Sequence, residues 1–175
     1  MTKSREHIRH AEAEDLEPLT QIYNHYVRHS IATFDTLPFA PEARHEWFVH
    51  HAIGTPHQLW VVEIDGAVLG YVSSSAFRPK PAYDSSVETS IYLHPNHQRK
   101  GLGQRLYSHL FDRLAPFKLH RAFAGIAIPN PASVALHEAQ GFTHIGSFSE
   151  AGYKFGGYHS VYWYEKDLTL IGQHA

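Results

Sequence analysis

Cysteine is absent from the 175-residue chain, which excludes disulfides, a cysteine nucleophile and thiolate metal sites. No apolar run approaches the length needed to cross a bilayer. No block of like charges occurs either. The formal net charge is −2, so the clustered basic footprint of a nucleic-acid binder is missing. The opening MTKSREH is polar and does not read as a signal peptide, so a cytoplasmic protein with no nucleic-acid or membrane partner is expected. Internal repeats and low-complexity segments are lacking as well. Two common nucleotide loops are also missing, the G-x-x-x-x-G-K-[ST] of a P-loop and the G-x-G-x-x-G of a dinucleotide fold.

Histidine, by contrast, is plentiful, with sixteen residues. They are scattered, and the near pairs His25/His29, His50/His51 and His94/His97 have no zincin-like carboxylate–histidine pattern around them. Surface histidines are the expectation, and no metal site. The hydrophobic fraction of 43% and charged fraction of 18% are ordinary for a globular protein, and the length suits a single domain over residues 1–175.

The stretch Val87–Arg105, VETSIYLHPNHQRKGLGQR, organises the rest. VETSIYL is rich in β-branched and aromatic residues and reads as a strand. A turn at His94-Pro95-Asn96 follows, and then Leu102, Leu106, Tyr107, Leu110, Phe111 and Leu114 recur at helical spacing. A strand thus feeds a glycine-bearing turn and a helix N-terminus. Such a terminus offers unpaired N–H groups at the positive end of the helix dipole, where a phosphate can bind. A glycine turn before an ordinary helix is the plainer alternative.

The spacing Gln98-x-x-Gly101-x-Gly103 resembles the Q/R-x-x-G-x-G/A signature of the GNAT superfamily of acyl-CoA N-acyltransferases. In that family the loop holds the coenzyme A pyrophosphate through main-chain N–H groups. The resemblance implies acetyl-CoA as co-substrate, bound by Ile91, Tyr92, Leu93, Gln98, Arg99, Lys100, Gly101, Leu102, Gly103 and Gln104. A second segment, Asn130-Pro-Ala-Ser133-Val-Ala-Leu136-His137-Glu138-Ala-Gln-Gly141-Phe142, resembles the family's N-x-x-A/S-x-x-L-Y-x-x-x-G-F helix. It adds Asn130 and Ser133 to the cofactor set. His137 stands where the family usually has tyrosine, a candidate acid for the leaving thiolate. That replacement is similar to the phosphinothricin (methionine sulfoximine) N-acetyltransferases. Ala32-Thr33-Phe34-Asp35-Thr36, Tyr83-Asp84, Val87-Glu88, His97-Gln98-Arg99 and Ala151-Gly152-Tyr153-Lys154-Phe155-Gly156 extend the resemblance over residues 8–168.

Taken in order, the chain suggests a strand at His7–Ala11 and a helix whose first turn carries Glu14 and Asp15 and which runs to about residue 29. A second helix is expected from Pro41 to Gly54-Thr55-Pro56. Strands at Leu59–Ile64 and Ala67–Ala76 flank an Asp65-Gly66 hairpin turn. After the central strand and helix come a strand at His120–Ile128, a helix ASVALHEAQ stopped by Gly141, and strands at Phe142–Ser149 and Tyr158–Lys166. Gly156-Gly157 is expected to turn between these two, and the tail LTLIGQHA to fray. This order predicts an α/β (α+β) fold with a mixed, mostly antiparallel sheet of about seven strands flanked by about four helices. It is also the element order of the GNAT fold.

Acetyl transfer to an amine requires loss of the ammonium proton, a polarised thioester carbonyl and a stabilised thiolate. Glu88 either sits at a splay between strands, where burial would raise its pKa and suit it as the base, or points outward to solvent. His137 either positions the thioester or protonates the leaving group, or is a helix-surface histidine. A main-chain N–H near Tyr92, turned by a bulge, would polarise the carbonyl. Arg78, Lys80 and Tyr83 in the FRPKPAYD loop could receive a small amino acid with an acidic tail, with Phe34 and Tyr92 as pocket walls. Two solvated loop cations and ordinary core aromatics are the alternatives. With no cysteine to carry the acetyl group, direct attack in a ternary complex is the economical route. The subfamily resemblance implies acetylation of the α-amino group of a small amino acid or analogue, and a homodimer. Another amine acceptor, or a non-catalytic acyl-CoA binder, remain the alternative readings.

Overall fold

The computed structural model describes residues 5–98 and 100–169. Arg99, and the tail from 170 on, lie outside the described residues. The elements are β1 (Glu6–His10), α1 (Leu16–His29), α2 (His45–Val49), β2 (Leu59–Ile64), β3 (Ala67–Ala76), β4 (Ser86–Leu93), α3 (Leu102–Leu114), β5 (Arg121–Ile128), α4 (Pro131–Ala139), β6 (Thr143–Lys154) and β7 (Gly157–Asp167). The seven strands form one sheet in the order β1-β2-β3-β4-β5-β7-β6. Every pairing is antiparallel except β4 with β5, which are parallel and joined by the α3 crossover. The mixed, mostly antiparallel architecture expected from the element order is the one observed.

Strand alternation divides the core between the two faces of this sheet. On one face Leu102, Leu106, Leu110 and Leu114 of α3 bury against Trp60, Val62, Val72 and Val87. Each such leucine is worth on the order of 1.5–3 kcal/mol of burial. On the other face Leu19 and Ile22 of α1 close over Leu59, Val61 and Tyr71. Arg9 ties the first elements together, bridging Asp15 at 2.6 Å and Glu63 at 2.9 Å. Asp65-Gly66 makes the expected tight hairpin, both residues having positive φ.

Three expectations are corrected. The second helix is short: Pro41–Arg44 form a 3-10 turn and α2 ends at Val49. It stops because His51 is drawn inward, Nδ1 to the Trp47 carbonyl at 2.8 Å and Nε2 to Ser75 Oγ at 3.0 Å, while the Ala52 amide turns to His57 O. The sixth strand runs on to Lys154, past Ser149, because its ladder resumes at Gly152↔His159 after an irregular break that holds Glu150 at φ 49°. The hairpin that follows turns on Phe155-Gly156, with φ 52° and 78°, one residue earlier than expected. The aromatic strand β7 is also interior, and β6 is the sheet edge. Of the tail, Leu168 is buried and its amide bonds the His120 carbonyl at 3.1 Å.

Candidate active site

The parallel strands separate almost at once. β4 and β5 pair only at Ser86↔Arg121, Val87↔Ala122 and Glu88↔Phe123. Beyond Glu88, β4 stays with β3 as far as Leu93 and β5 stays with β7 as far as Ile128, so a fork opens between them. Backbone groups on the open edge of β4 lose their partners there. The His94 amide bonds Leu69 O at 2.8 Å on the β3 side, so alternation turns the N–H groups of Ile91 and Leu93 into the fork. The bulge expected near Tyr92 is not found, since the β3–β4 register is unbroken from Val87 to Leu93. Strand divergence does the same work.

The fork opens onto the start of α3. Gly101, at φ 75°, is the N-cap residue, a left-handed position that favours glycine. The first bond that closes the helix is Arg105 N–H to Gly101 O at 3.2 Å. The amides of Leu102, Gly103 and Gln104 therefore have no acceptor within the helix and point out of its N-terminus. Gly103 lines the cleft and also packs against α4. A Cβ there would stand 2.9 Å from Leu136 Cδ2, so this glycine lets α4 close against α3. On the far wall, the Asn130 side chain caps α4 by accepting from the Ser133 amide at 3.2 Å. These elements enclose a cleft of about 440 Å³, which Ile91, Tyr92, Leu93, Gln98, Leu102, Gln104 and Ser133 also line. Tyr26, which the sequence did not single out, crosses the mouth. Its hydroxyl donates to Leu93 O and accepts from Gln98 Nε2 at 2.9 Å. Lys100 is exposed beside the loop.

Glu88 occupies the last rung before the strands part, opposite Phe123 of β5 and Ser75 of β3. It is half-buried, on the α1/α2 face with Ser90 and Tyr92 two and four residues on. Burial pushes its carboxyl up, and the Arg78 cation pulls it part of the way back. The Arg78 cation is thus close enough to Glu88 to influence its charge. Arg78 lies over the Phe77 ring, 4.6 Å from its centroid, and Tyr83 packs edge-on against the same ring. Arg78, Lys80 and Tyr83 are all exposed, and none lines the cleft. Phe34 lies elsewhere, packed over Gly152 of β6 and near His159.

His137 is only 4% exposed, although its ring borders the cleft. Its Nδ1 lies 2.7 Å from Ser133 O, an acceptor only, so Nδ1 carries the proton. Nε2 then accepts from the Tyr107 hydroxyl at 2.8 Å. Tyr107 in turn lies 3.3 Å from Thr89 Oγ1, which also reaches Phe123 O at 3.4 Å. This buried relay links α4, α3 and both arms of the fork. Burial lowers the His137 pKa, which favours the neutral ring. Both ring nitrogens are thus engaged within the protein. Tyr107 went unrecognised because its helical spacing marks it simply as core.

A second cavity of about 270 Å³ lies on the α1/α2 face, sharing Ser90 and Tyr92 with the cleft. Arg44, Asp35 and Tyr71 line it; Asp35 belongs to a segment that carries the family resemblance, whereas nothing in the sequence context of Arg44 or Tyr71 distinguished them. Among the described residues no group of three His, Asp or Glu side chains could hold a metal ion. Nor is any helix among them long and apolar enough to cross a membrane.

A fork whose open edge carries free amides, facing a helix N-terminus with three more, is built to take an extended ligand with a phosphate at one end and a carbonyl at the other. Comparison with known proteins agrees with that geometry. Residues 19–142 match the acetyltransferase (GNAT) family model. The chain is 50% identical to a phosphinothricin N-acetyltransferase from Streptomyces coelicolor, over 92% of this chain and 95% of that one. It is 37% identical to an L-methionine sulfoximine/L-methionine sulfone acetyltransferase from Salmonella typhimurium, over 85% of this chain and 86% of that one. A phosphinothricin acetyltransferase from Sinorhizobium meliloti, solved in complex with acetyl-CoA, superposes with a TM-score of 0.87 at 32% identity, covering 97% of this chain and 91% of that one. The chain belongs to the acetyltransferase (GNAT) family, with phosphinothricin and methionine sulfoximine N-acetyltransferases among its relatives.

Proposed function

We propose that this protein transfers the acetyl group of acetyl-CoA to the α-amino group of a small amino acid or analogue of the phosphinothricin, methionine sulfoximine or methionine sulfone type. The observation that carries the reading is the fork, with the Ile91 and Leu93 amides on its open edge and the free amides of α3 at its mouth. When bound, acetyl-CoA supplies an acetyl group activated as a thioester. The amides of residues 102–104 hold its pyrophosphate, with Gln98, Asn130 and Ser133 lining the path and the exposed Lys100 beside it in sequence. The Ile91 and Leu93 N–H groups donate to the thioester oxygen and favour the charge that builds there during attack. Arg99, which lies outside the described residues, belongs to the proposed phosphate set by its place in the Gln98–Gly103 motif.

The acceptor approaches from the α1/α2 face, where Glu88, Ser90 and Tyr92 stand in a row. Glu88 takes the ammonium proton, directly or through a water, and its raised pKa brings its basicity nearer that of the amine. Arg78 and Lys80 meet the acceptor's carboxylate at the rim. His137 holds the α4 wall in register through Tyr107 and Ser133. Direct attack within a ternary complex is the economical route, since the chain has no cysteine for a cysteine acetyl-enzyme.

Free-thiol release from acetyl-CoA, measured with and without a panel of amino acids, their sulfone and sulfoximine analogues, polyamines and peptides, tests this directly. Release stimulated by amino-acid analogues supports it. Release stimulated only by polyamines or peptides moves the acceptor to another amine class, and no stimulated release leaves an acyl-CoA binder.

A further inference from the structure

The end of β6 reaches across to the C-terminus of α1. Lys154, the last residue of that strand, is only 4% exposed. A buried charge is tolerated when it is paired or fully hydrogen-bonded. No salt bridge joins Lys154 among the described residues. Its Nζ donates instead to main-chain carbonyls, Thr33 O at 2.7 Å, Ser30 O at 2.8 Å and Tyr26 O at 3.4 Å. Tyr26 lies in the last turn of α1 and Ser30 caps it, so the ammonium also meets the negative end of the helix dipole. Burial pulls its pKa down, and the Asp35 carboxylate lifts it part of the way back.

Gly152 stands two residues earlier, on the same face of β6. A Cβ there would collide with the Phe34 ring, so the missing side chain is the seat of Phe34. Two inward positions of β6 thus clamp one turn, Thr33 by hydrogen bond and Phe34 by contact. That turn, residues 30–35, belongs to no helix or strand. It borders both cavities: Ala32 lines the cleft and Asp35 the second cavity, and both cavities reach Ser90 and Tyr92 of β4. The Tyr92 hydroxyl meets the Ala32 carbonyl at 3.5 Å. The turn therefore lies against the row of Glu88, Ser90 and Tyr92. Lys154 itself lines neither cavity.

We propose that Lys154 is a positioning residue for the transfer reaction, fixing the turn at residues 30–35 so that it seats the acceptor amine beside Glu88. The inference rests on the acetyl-transfer reading above and adds to it a residue that acts through the turn. The clamp bears on one substrate more than the other. Acetyl-CoA is assigned to the amides of α3 and of the β4 edge, and Lys154 bonds neither element. The acceptor, by contrast, has the turn as a wall of its approach. Without the ammonium, the Ser30 and Thr33 carbonyls lose that donor. A buried carbonyl left without a donor costs free energy, which the turn recovers by shifting toward water.

Steady-state kinetics of Lys154→Met test this, with acetyl-CoA and methionine sulfone, or the panel amine that the wild type acetylates in its place. Methionine is unbranched like lysine and donates nothing. Misplacing a reactant by about 1 Å can cost about a hundredfold, so kcat/KM for the acceptor should fall about ten- to a hundredfold. The fall should come through KM for the acceptor, with KM for acetyl-CoA held. Gly152→Ala pushes Phe34 and its turn while Lys154 stays, and it should give the same split. It decides if Lys154→Met fails to fold. Arg9→Met, which loses the bridges to Asp15 and Glu63 at the β1 edge, is the control for lost stability. If Lys154 only stabilises the fold, Lys154→Met and Arg9→Met will both melt lower with both KM values unchanged. That result, or an equal rise in the two KM values, overturns the inference while the acetyl-transfer reading stands. A wild-type protein that acetylates no amine of the panel overturns that reading, and this inference with it.

Discussion

Glu88 carries the sharpest expectation of any single residue. Its carboxylate is the active form, so the rate should fall as pH drops through a pKa raised above the ordinary carboxylate value of about 4.3. Glu88→Gln keeps the shape and removes the acceptor of the proton. Its kcat/KM near pH 7 should be lower by roughly 10²–10⁴. The deficit should narrow at high pH, where an amine that titrates near about 8 or above loses its proton unaided. A variant as fast as the wild type at pH 7 would assign proton removal to water or to another group. His51 makes a separate claim, about stability. Burial lowers its pKa from 6.5 to about 4 in the folded chain. The unfolded chain therefore binds the extra proton between those values. The neutral ring's contribution is complete above pH 6.5 and is lost as pH falls toward 4, by on the order of 3 kcal/mol. Urea unfolding at pH 7, 5.5 and 4 should trace that loss, and His51→Gln, which cannot take up a proton, should flatten it. At this scale the sequence was informative where a side chain acts through its own strand or loop. Glu88 and the loop glycines could be read from VETSIYL and QRKGLG. Arg44 and Tyr71 could not be placed in the second cavity, because it forms only when the segment after α1 folds back over β3.

Elements explain why the site tolerates so little change in its glycines. Gly101 adopts φ 75° to start α3, so Gly101→Ala should strain the turn by about 1–2 kcal/mol and turn the amides of residues 102–104 from their aim. Titration calorimetry should find acetyl-CoA binding weakened in a protein with wild-type circular dichroism. Unchanged affinity would separate the loop from the phosphate. Gly103 is the poorer probe, since a side chain there strikes Leu136 and disturbs α4 as well as the cleft. The strand–turn–helix unit was legible because it is contiguous and its periodicity switches cleanly from two to 3.6. The fork itself was expected only as a splay of strands. Its amides were not, because divergence of β4 from β5 depends on which strand each one keeps as its partner. The far end of β6 was missed for a related reason. The break between Phe148 and Gly152 destroys the alternation by which a strand is recognised.

The whole molecule presents one more surface. Phe148, Tyr153, Phe155 and Tyr158 of the β6–β7 hairpin are each more than half exposed, at 54%, 60%, 61% and 66%. A lone domain gains nothing from that many aromatics in water. We expect a second copy of the chain to cover the hairpin, and light scattering at working concentration should return a dimer mass. A monomer would leave those aromatics to another partner. The element order announced the sheet. The exposed aromatic surface was not legible, because β7 carries the aromatic sequence signal while the edge strand β6 carries much of the exposure.

The central claim is that the fork between β4 and β5 is the seat of acetyl transfer. A crystal structure of the protein with acetyl-CoA tests it most directly. The account predicts the pyrophosphate on the amides of residues 102–104, the thioester oxygen within hydrogen-bond distance of the Ile91 or Leu93 N–H, and the acetyl group facing Ser90 and Glu88. Acetyl-CoA bound outside the fork, or in it with the thioester turned away from β4, would contradict the account.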